Sequence, residues 1–112
     1  YQTYDLFEAM KHDGLRPKLV KVDGGMVMNN WFSQFLSDVV DIKVLRPKVQ
    51  ETTALGAAFM AGLQIGVYKS LADISKNWQL DKNFTPNIKS KERKNLVKGW
   101  SESIKKTLTK TI

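Results

Sequence analysis

The residues best suited to chemistry stand together at Asp23-Gly24-Gly25, with Asn29 and Asn30 a few positions on. Leu19-Val20-Lys21-Val22 precedes them and reads as a short strand. Helical periodicity resumes at about Asn29. Such a strand–turn–helix junction lies at the carboxyl end of a strand, where open α/β sheets bind ligands. Two glycines remove side chains that would block close approach, and they leave backbone N–H groups available to a phosphate or ribose. The helix that follows presents the positive end of its dipole. An Asn at its start could cap the first turn or hydrogen-bond a base edge or ribose. The pattern is neither GxxxxGK[ST] nor GxGxxG. A plain tight turn between strand and helix accounts for it equally well.

Other candidates are weaker. Asp23 could serve as a metal-side or general-base carboxylate, but an acid before Gly-Gly is more often a turn former. Glu51, Thr52 and Thr53 precede an Ala-rich segment and read as cap or first-turn residues. A phosphate-side role for Thr52 or Thr53 is secondary. His12, the one histidine, sits beside Asp13-Gly14 and reads as a solvated helix end. The absence of cysteine excludes disulfides, thiolate zinc sites and cysteine nucleophiles, and it fits a reducing compartment. No HExxH or EF-hand spacing occurs, so no protein-held metal site is expected.

The elements that must position these residues follow from periodicity. Residues 3–11 read as a helix with Leu6, Phe7 and Met10 on one face. Gly14 and Pro17 end it. After the strand at 19–22, a helix over 29–40 carries the apolar stripe Trp31, Phe32, Phe35, Leu36 and Val39. Ile42-Lys43-Val44-Leu45 forms a second strand, closed by Arg46-Pro47. Two strands joined by a helix imply a parallel, right-handed crossover. Residues 53–66 form a helix dense in small residues, which suits close approach to a neighbouring backbone. Leu71, Ile74 and Trp78 suggest a short helix, residues 79–90 a loop, and 91–109 a last helix with Leu96, Val97, Trp100, Ile104 and Leu108 inward. The fold class is α/β, with short parallel strands and helices against them. Two strands make an incomplete parallel sheet, so further strands are expected outside this sequence.

Apolar residues make up 42% and charged residues 26%, a globular rather than disordered composition. No apolar run reaches the roughly 20 residues of a membrane span, and no signal segment opens the chain. The 112 residues begin at Tyr1 rather than Met, which suggests a piece of a longer protein. Of the net charge of +7, residues 89–110 supply +6, from eight Lys and Arg against Glu92 and Glu102. That stripe reads as a solvated helix face. A basic nucleic-acid-binding module is the alternative, although no recognition motif accompanies it.

Two segments resemble a known family. Val22-Asp23-Gly24-Gly25-Met26-Val27-Met28-Asn29-Asn30, with Phe32, Phe35, Leu36 and Asp38 after it, resembles the "VDGG…NN" element of glycerol kinases. Residues 46–63, Arg-Pro-Lys-Val-Gln-Glu-Thr-Thr-Ala-Leu-Gly-Ala-Ala-Phe-Met-Ala-Gly-Leu, resemble the "RP…E(T/V)TALGAA…AGL" signature of the same family. Glu92-Arg93 and Gly99-Trp100 look like its last helix. The wider group is the FGGY carbohydrate kinases, which includes xylulose, ribulose and glycerol kinases.

The resemblance implies a partial C-terminal domain over residues 1–112, actin-like or ribonuclease-H-like, with the N-terminal domain absent. The intact enzyme would transfer the ATP γ-phosphoryl group to glycerol, giving glycerol 3-phosphate. The family's adenosine-binding element falls here on Gly24, Gly25 and Asn29. The catalytic Asp and the polyol-binding residues would lie upstream, so this chain alone is expected to be inactive, and Asp23 does not match the catalytic base. ATP or ADP with Mg²⁺ is the implied cofactor set, the metal being held mainly by nucleotide and the missing domain. A cytoplasmic homo-oligomer that binds ATP and glycerol, and no nucleic acid, is expected. A pentulose kinase or a non-catalytic nucleotide-binding module remains the alternative.

Overall fold

The computed structural model describes residues 1–108. Helix α1 spans Gln2–His12 and is held on the sheet side by Phe7, which is buried against Val40 and Ile42. Tyr4, Met10, Val20 and Leu36 complete this small core. His12 is exposed in the last turn of α1. Strand β1 (Leu19–Lys21) leads to a 3-10 turn (Gly25–Met28) and then to helix α2 (Asn30–Val40). Strand β2 (Lys43–Pro47) pairs with β1 in parallel, Val20 opposite Val44.

Helix α2 buries Val39 of the expected stripe and half-buries Phe32, Phe35 and Leu36, but it turns Trp31 outward and brings two serines in. Ser33 and Ser37 are fully buried with Val39 and Val40, whereas Trp31 is 69% exposed. Trp31 instead stacks on Phe35 at 5.0 Å between ring centroids, outside the core. The small hydroxyls turn inward because each finds a carbonyl. Ser33 Oγ donates to Val27 O (3.0 Å), and the Ser37 hydroxyl lies 2.8 Å from Ile42 O and 3.1 Å from Phe84 O. A buried hydroxyl so satisfied avoids the cost of an unpaired polar group.

The expected loop over 79–90 contains a third strand, β3 (Leu80–Phe84), antiparallel to β2. The sheet is therefore mixed, in the order β1-β2-β3, and not wholly parallel. Four of the five β3 residues are exposed and only Phe84 is buried. Backbone pairing to β2, rather than side-chain burial, makes this segment a strand.

Helices α3 (Thr52–Gln64), α4 (Leu71–Ser75) and α5 (Ser90–Thr107) complete the chain. Thr109 and Lys110, expected in the last helix and its basic stretch, lie outside the described residues. Leu108, expected on the inner face, is 65% exposed. Neither glycine of α3 has a neighbouring backbone among its nearest contacts. A side chain at Gly56 would meet nothing within 4 Å, and at Gly62 it would meet the Tyr68 ring at 2.9 Å. Most of α3 faces outward, and Gly62 is its one buried residue. The radius of gyration, 17.9 Å, exceeds the ~13 Å of a compact domain of this length.

Helix α5 is anchored where α2 ends. Asp41 closes α2 in the left-handed conformation (φ 58°), which Asp tolerates better than most residues. Its carboxylate pairs with Arg93 Nη2 at 2.9 Å, and Arg93 Nε donates to Asp38 O. Buried Asp38 accepts from the Asn87 amide (2.6 Å) and from Gln34 (3.0 Å). At the other end of this face, Trp100 Nε1 donates to Asp5 (2.7 Å) and its ring stacks on Tyr1.

Candidate functional site

The β1–α2 connection gathers Gly24, Gly25 and Asn29 at the carboxyl end of β1. Gly24 has φ 85° and ψ 169°, a region essentially confined to glycine. Its amide donates to Gln50 O at 3.1 Å, so it is not available to a ligand, contrary to the expectation for both glycines. Gly25 opens the 3-10 turn. The amides of Gly25 and Met26 therefore have no intrahelical acceptor. A Cβ at Gly25 would meet nothing within 4 Å, so the space beyond it is open.

Asn29 closes the 3-10 turn and caps α2. Its amide donates to Met26 O (3.2 Å), and its Oδ1 accepts from the Phe32 amide (3.2 Å). Capping thus occupies the side-chain oxygen and leaves the Nδ2 end to donate outward. The 3-10 turn itself was not foreseen. Gly25-Met26-Val27-Met28 carries no periodicity of its own, and only Val27 is buried.

The second sequence motif meets the first through Asp23. The Thr52 hydroxyl donates to the Asp23 carboxylate, joining the start of α3 to the end of β1. Asp23 is therefore a link in the turn. Glu51 occupies the N-cap position of α3 without a side-chain cap bond, and Thr52 and Thr53 open its first turn. A cavity of about 160 Å³ lies beside this link, between Pro47, Thr52, Leu55 and Trp78. Gly24, Gly25 and Asn29 do not line it; they lie on an open face. Among the described residues, no group of three or more His, Cys, Asp or Glu is gathered to hold a metal ion.

Arg46 is the site residue that sequence reasoning missed. In the sequence it closes a strand with Pro47 and opens the family signature over residues 46–63, with no role at the turn assigned to it. Its side chain is 8% exposed and reaches under the 3-10 turn. Nη1 donates to Val27 O (2.9 Å), Met28 O (3.2 Å) and Asn30 Oδ1 (3.1 Å). Nε donates to Asp81 Oδ2 on β3 (2.7 Å), and the guanidinium lies over the Phe84 ring. The available signal was an arginine in a strand otherwise made to be buried.

Comparison with known proteins decides the family. The C-terminal domain of the FGGY family of carbohydrate kinases matches residues 1–65, more than half the chain. The chain belongs to the FGGY family of carbohydrate kinases. Among its relatives, a glycerol kinase of Gluconobacter oxydans (strain 621H) is 46% identical over 110 residues, 97% of this chain and 22% of that protein. The crystal structure of Plasmodium falciparum glycerol kinase with ADP superposes with a TM-score of 0.79 at 31% identity, covering 98% of this chain and 22% of that one. A ligand-bound xylulose kinase from Lactobacillus acidophilus shares the fold, with a TM-score of 0.68 at 23% identity over 81% of this chain and 18% of its own. The chain thus spans about a fifth of the length of the relatives it matches. Its three-stranded mixed sheet and helices are part of the actin-like C-terminal domain of FGGY kinases. Among the described residues, no helix is long and apolar enough to cross a membrane.

Proposed function

We propose that this chain is the adenosine-binding portion of a glycerol kinase, which transfers the ATP γ-phosphoryl group to glycerol to give glycerol 3-phosphate. Residues 1–112 would form part of the C-terminal domain, and the remainder of the protein would supply the catalytic base and the polyol site. The observation that carries this reading is the turn itself. Gly24 fixes an unusual backbone course, Gly25 leaves open space, and Asn29 offers an amide donor from the N-cap of α2. The open face of this turn and the outlying α3 suit half of a cleft whose other wall comes from elsewhere.

Phosphoryl transfer depends mainly on positioning and charge neutralisation. In this reading Gly25 lets the backbone approach the nucleoside, Asn29 Nδ2 donates to the base or ribose, and the α2 N-terminus favours the nearby anionic ligand. Asp23 is engaged by Thr52 and no acidic cluster stands at the turn. Mg²⁺ would therefore be held by nucleotide oxygens and by other parts of the enzyme. The relatives named glycerol kinase support glycerol as the acceptor. A cytoplasmic homo-oligomer is the expected setting.

The test is ATP-dependent turnover by the intact protein, with glycerol, xylulose and ribulose compared as acceptors. Glycerol is expected to give the highest kcat/KM. The same chain alone, residues 1–112, is expected to show no turnover. Preference for a pentulose would refute the acceptor, and turnover by the isolated chain would refute the division of labour.

A further inference from the structure

We propose that Arg46, oriented by Asp81, is the positioning residue of the nucleotide-binding turn; the inference rests on the reading of that turn given above. One guanidinium holds both ends of the connection. Its Nη1 takes the last two carbonyls of the 3-10 turn and the Asn30 side chain at the start of α2. The Met28 carbonyl and the Asn29 amide share one rigid peptide plane. Fixing that carbonyl therefore fixes the residue that caps α2 and points toward the ligand space.

Arg46 makes none of these bonds to Gly25 or to the Asn29 side chain, so it acts through the backbone. Burying a charge in a sheet is costly unless every donor finds a partner, and an apolar residue would suit the position between Leu45 and Pro47. The retained charge is spent on the turn. Asp81 sets the direction of the fork, because its bond to Nε leaves Nη1 aimed at the turn. Lysine, a point charge on a flexible stem, lacks the planar fork that reaches Asp81 and the turn together.

The test compares Arg46→Lys, Asp81→Asn and Gly25→Val in the intact kinase, reading KM for ATP and KM for glycerol separately, with thermal unfolding as the check on folding. Arg46→Lys is expected to raise KM for ATP about tenfold, with glycerol KM within about twofold of the parent. Asp81→Asn, at a half-exposed position, is expected to raise KM for ATP about threefold. If Arg46→Lys does not fold, Asp81→Asn decides. If Gly25→Val raises KM for ATP while Arg46→Lys and Asp81→Asn leave it unchanged, the positioning role is overturned and the nucleotide turn stands. If all three leave it unchanged, both readings fall. Equal rises in both KM values would make Arg46 structural only and would also overturn the proposal.

Discussion

Replacing Gly24 and Gly25 one at a time separates two tasks that their adjacency conceals. Gly24 sits at φ 85°, ψ 169° with open space around it, so a methyl group there clashes with no neighbour. The penalty is in the backbone, and holding a non-glycine residue in that region costs about 1–3 kcal/mol. At about 1.4 kcal/mol per decade, the native turn conformation becomes about 5–150-fold less favoured. Gly24→Ala should therefore lower stability and raise KM for ATP together. Gly25 has an ordinary φ and the same open space. Gly25→Val should change stability by no more than about 0.5 kcal/mol, as an unobstructed surface change does. Its side chain would nevertheless project where the nucleotide is expected, raising KM for ATP by steric exclusion. Urea unfolding and ATP kinetics of the two variants in the intact kinase give four numbers. An unchanged urea midpoint for Gly24→Ala would refute the backbone argument. An unchanged KM for Gly25→Val would refute close approach at this turn.

Asn29→Ser keeps a good cap, so it should preserve stability while raising KM for ATP; Asn29→Ala should also lose about 1 kcal/mol of stability. Parallel kinetics and urea midpoints check this, and an Asn29→Ser enzyme with normal KM would remove Asn29 from the site. Ser37→Ala removes the hydroxyl shared between the Ile42 and Phe84 carbonyls, and it should cost about 1–2 kcal/mol in a urea titration. The Asp73 carboxyl is held below its ordinary value of 3.8, first by the Lys69 amide and then by Lys76. Its contribution is present above the ordinary value and is lost as pH falls through the lower folded value. An NMR titration of its carboxyl carbon should show a midpoint below 3.8, and a midpoint at or above that value would contradict the contacts.

The sequence carried the β1–α2–β2 unit well because β-branched runs and helical spacing alternate there without interruption. A cap at Asn29 or Asn30 was also legible from residue type and position, and the structure gives the role to Asn29. Strand β3 was not, because Leu80-Asp81-Lys82-Asn83-Phe84 offers one buried side chain and otherwise relies on main-chain pairing. Within α2, Trp31 and the two serines were misjudged, because hydrophobicity favours Trp31 over Ser33. Aromatic stacking outside and hydroxyl–carbonyl bonds inside reverse that order. In α3, small residues signalled close approach, yet in this chain Gly56 faces open space. Arg46 was hidden for a related reason, since its partners Val27, Met28 and Asp81 are remote in sequence and backbone carbonyls leave no trace in composition.

The bond between Trp100 and Asp5 joins residues 95 positions apart. During synthesis at roughly 5–20 residues per second, α1 waits roughly 5–19 s for α5 to emerge. In that interval β1, α2, β2 and β3 are all made, and each has a neighbour already at hand. Tyr1 has no Trp100 to stack on, and the end of α2 has no Arg93. The contacts that α5 makes with α1 and with the end of α2 therefore close only after the segment from β1 to β3 has been made, and until then Tyr1 has the Phe35 ring but not Trp100 against it.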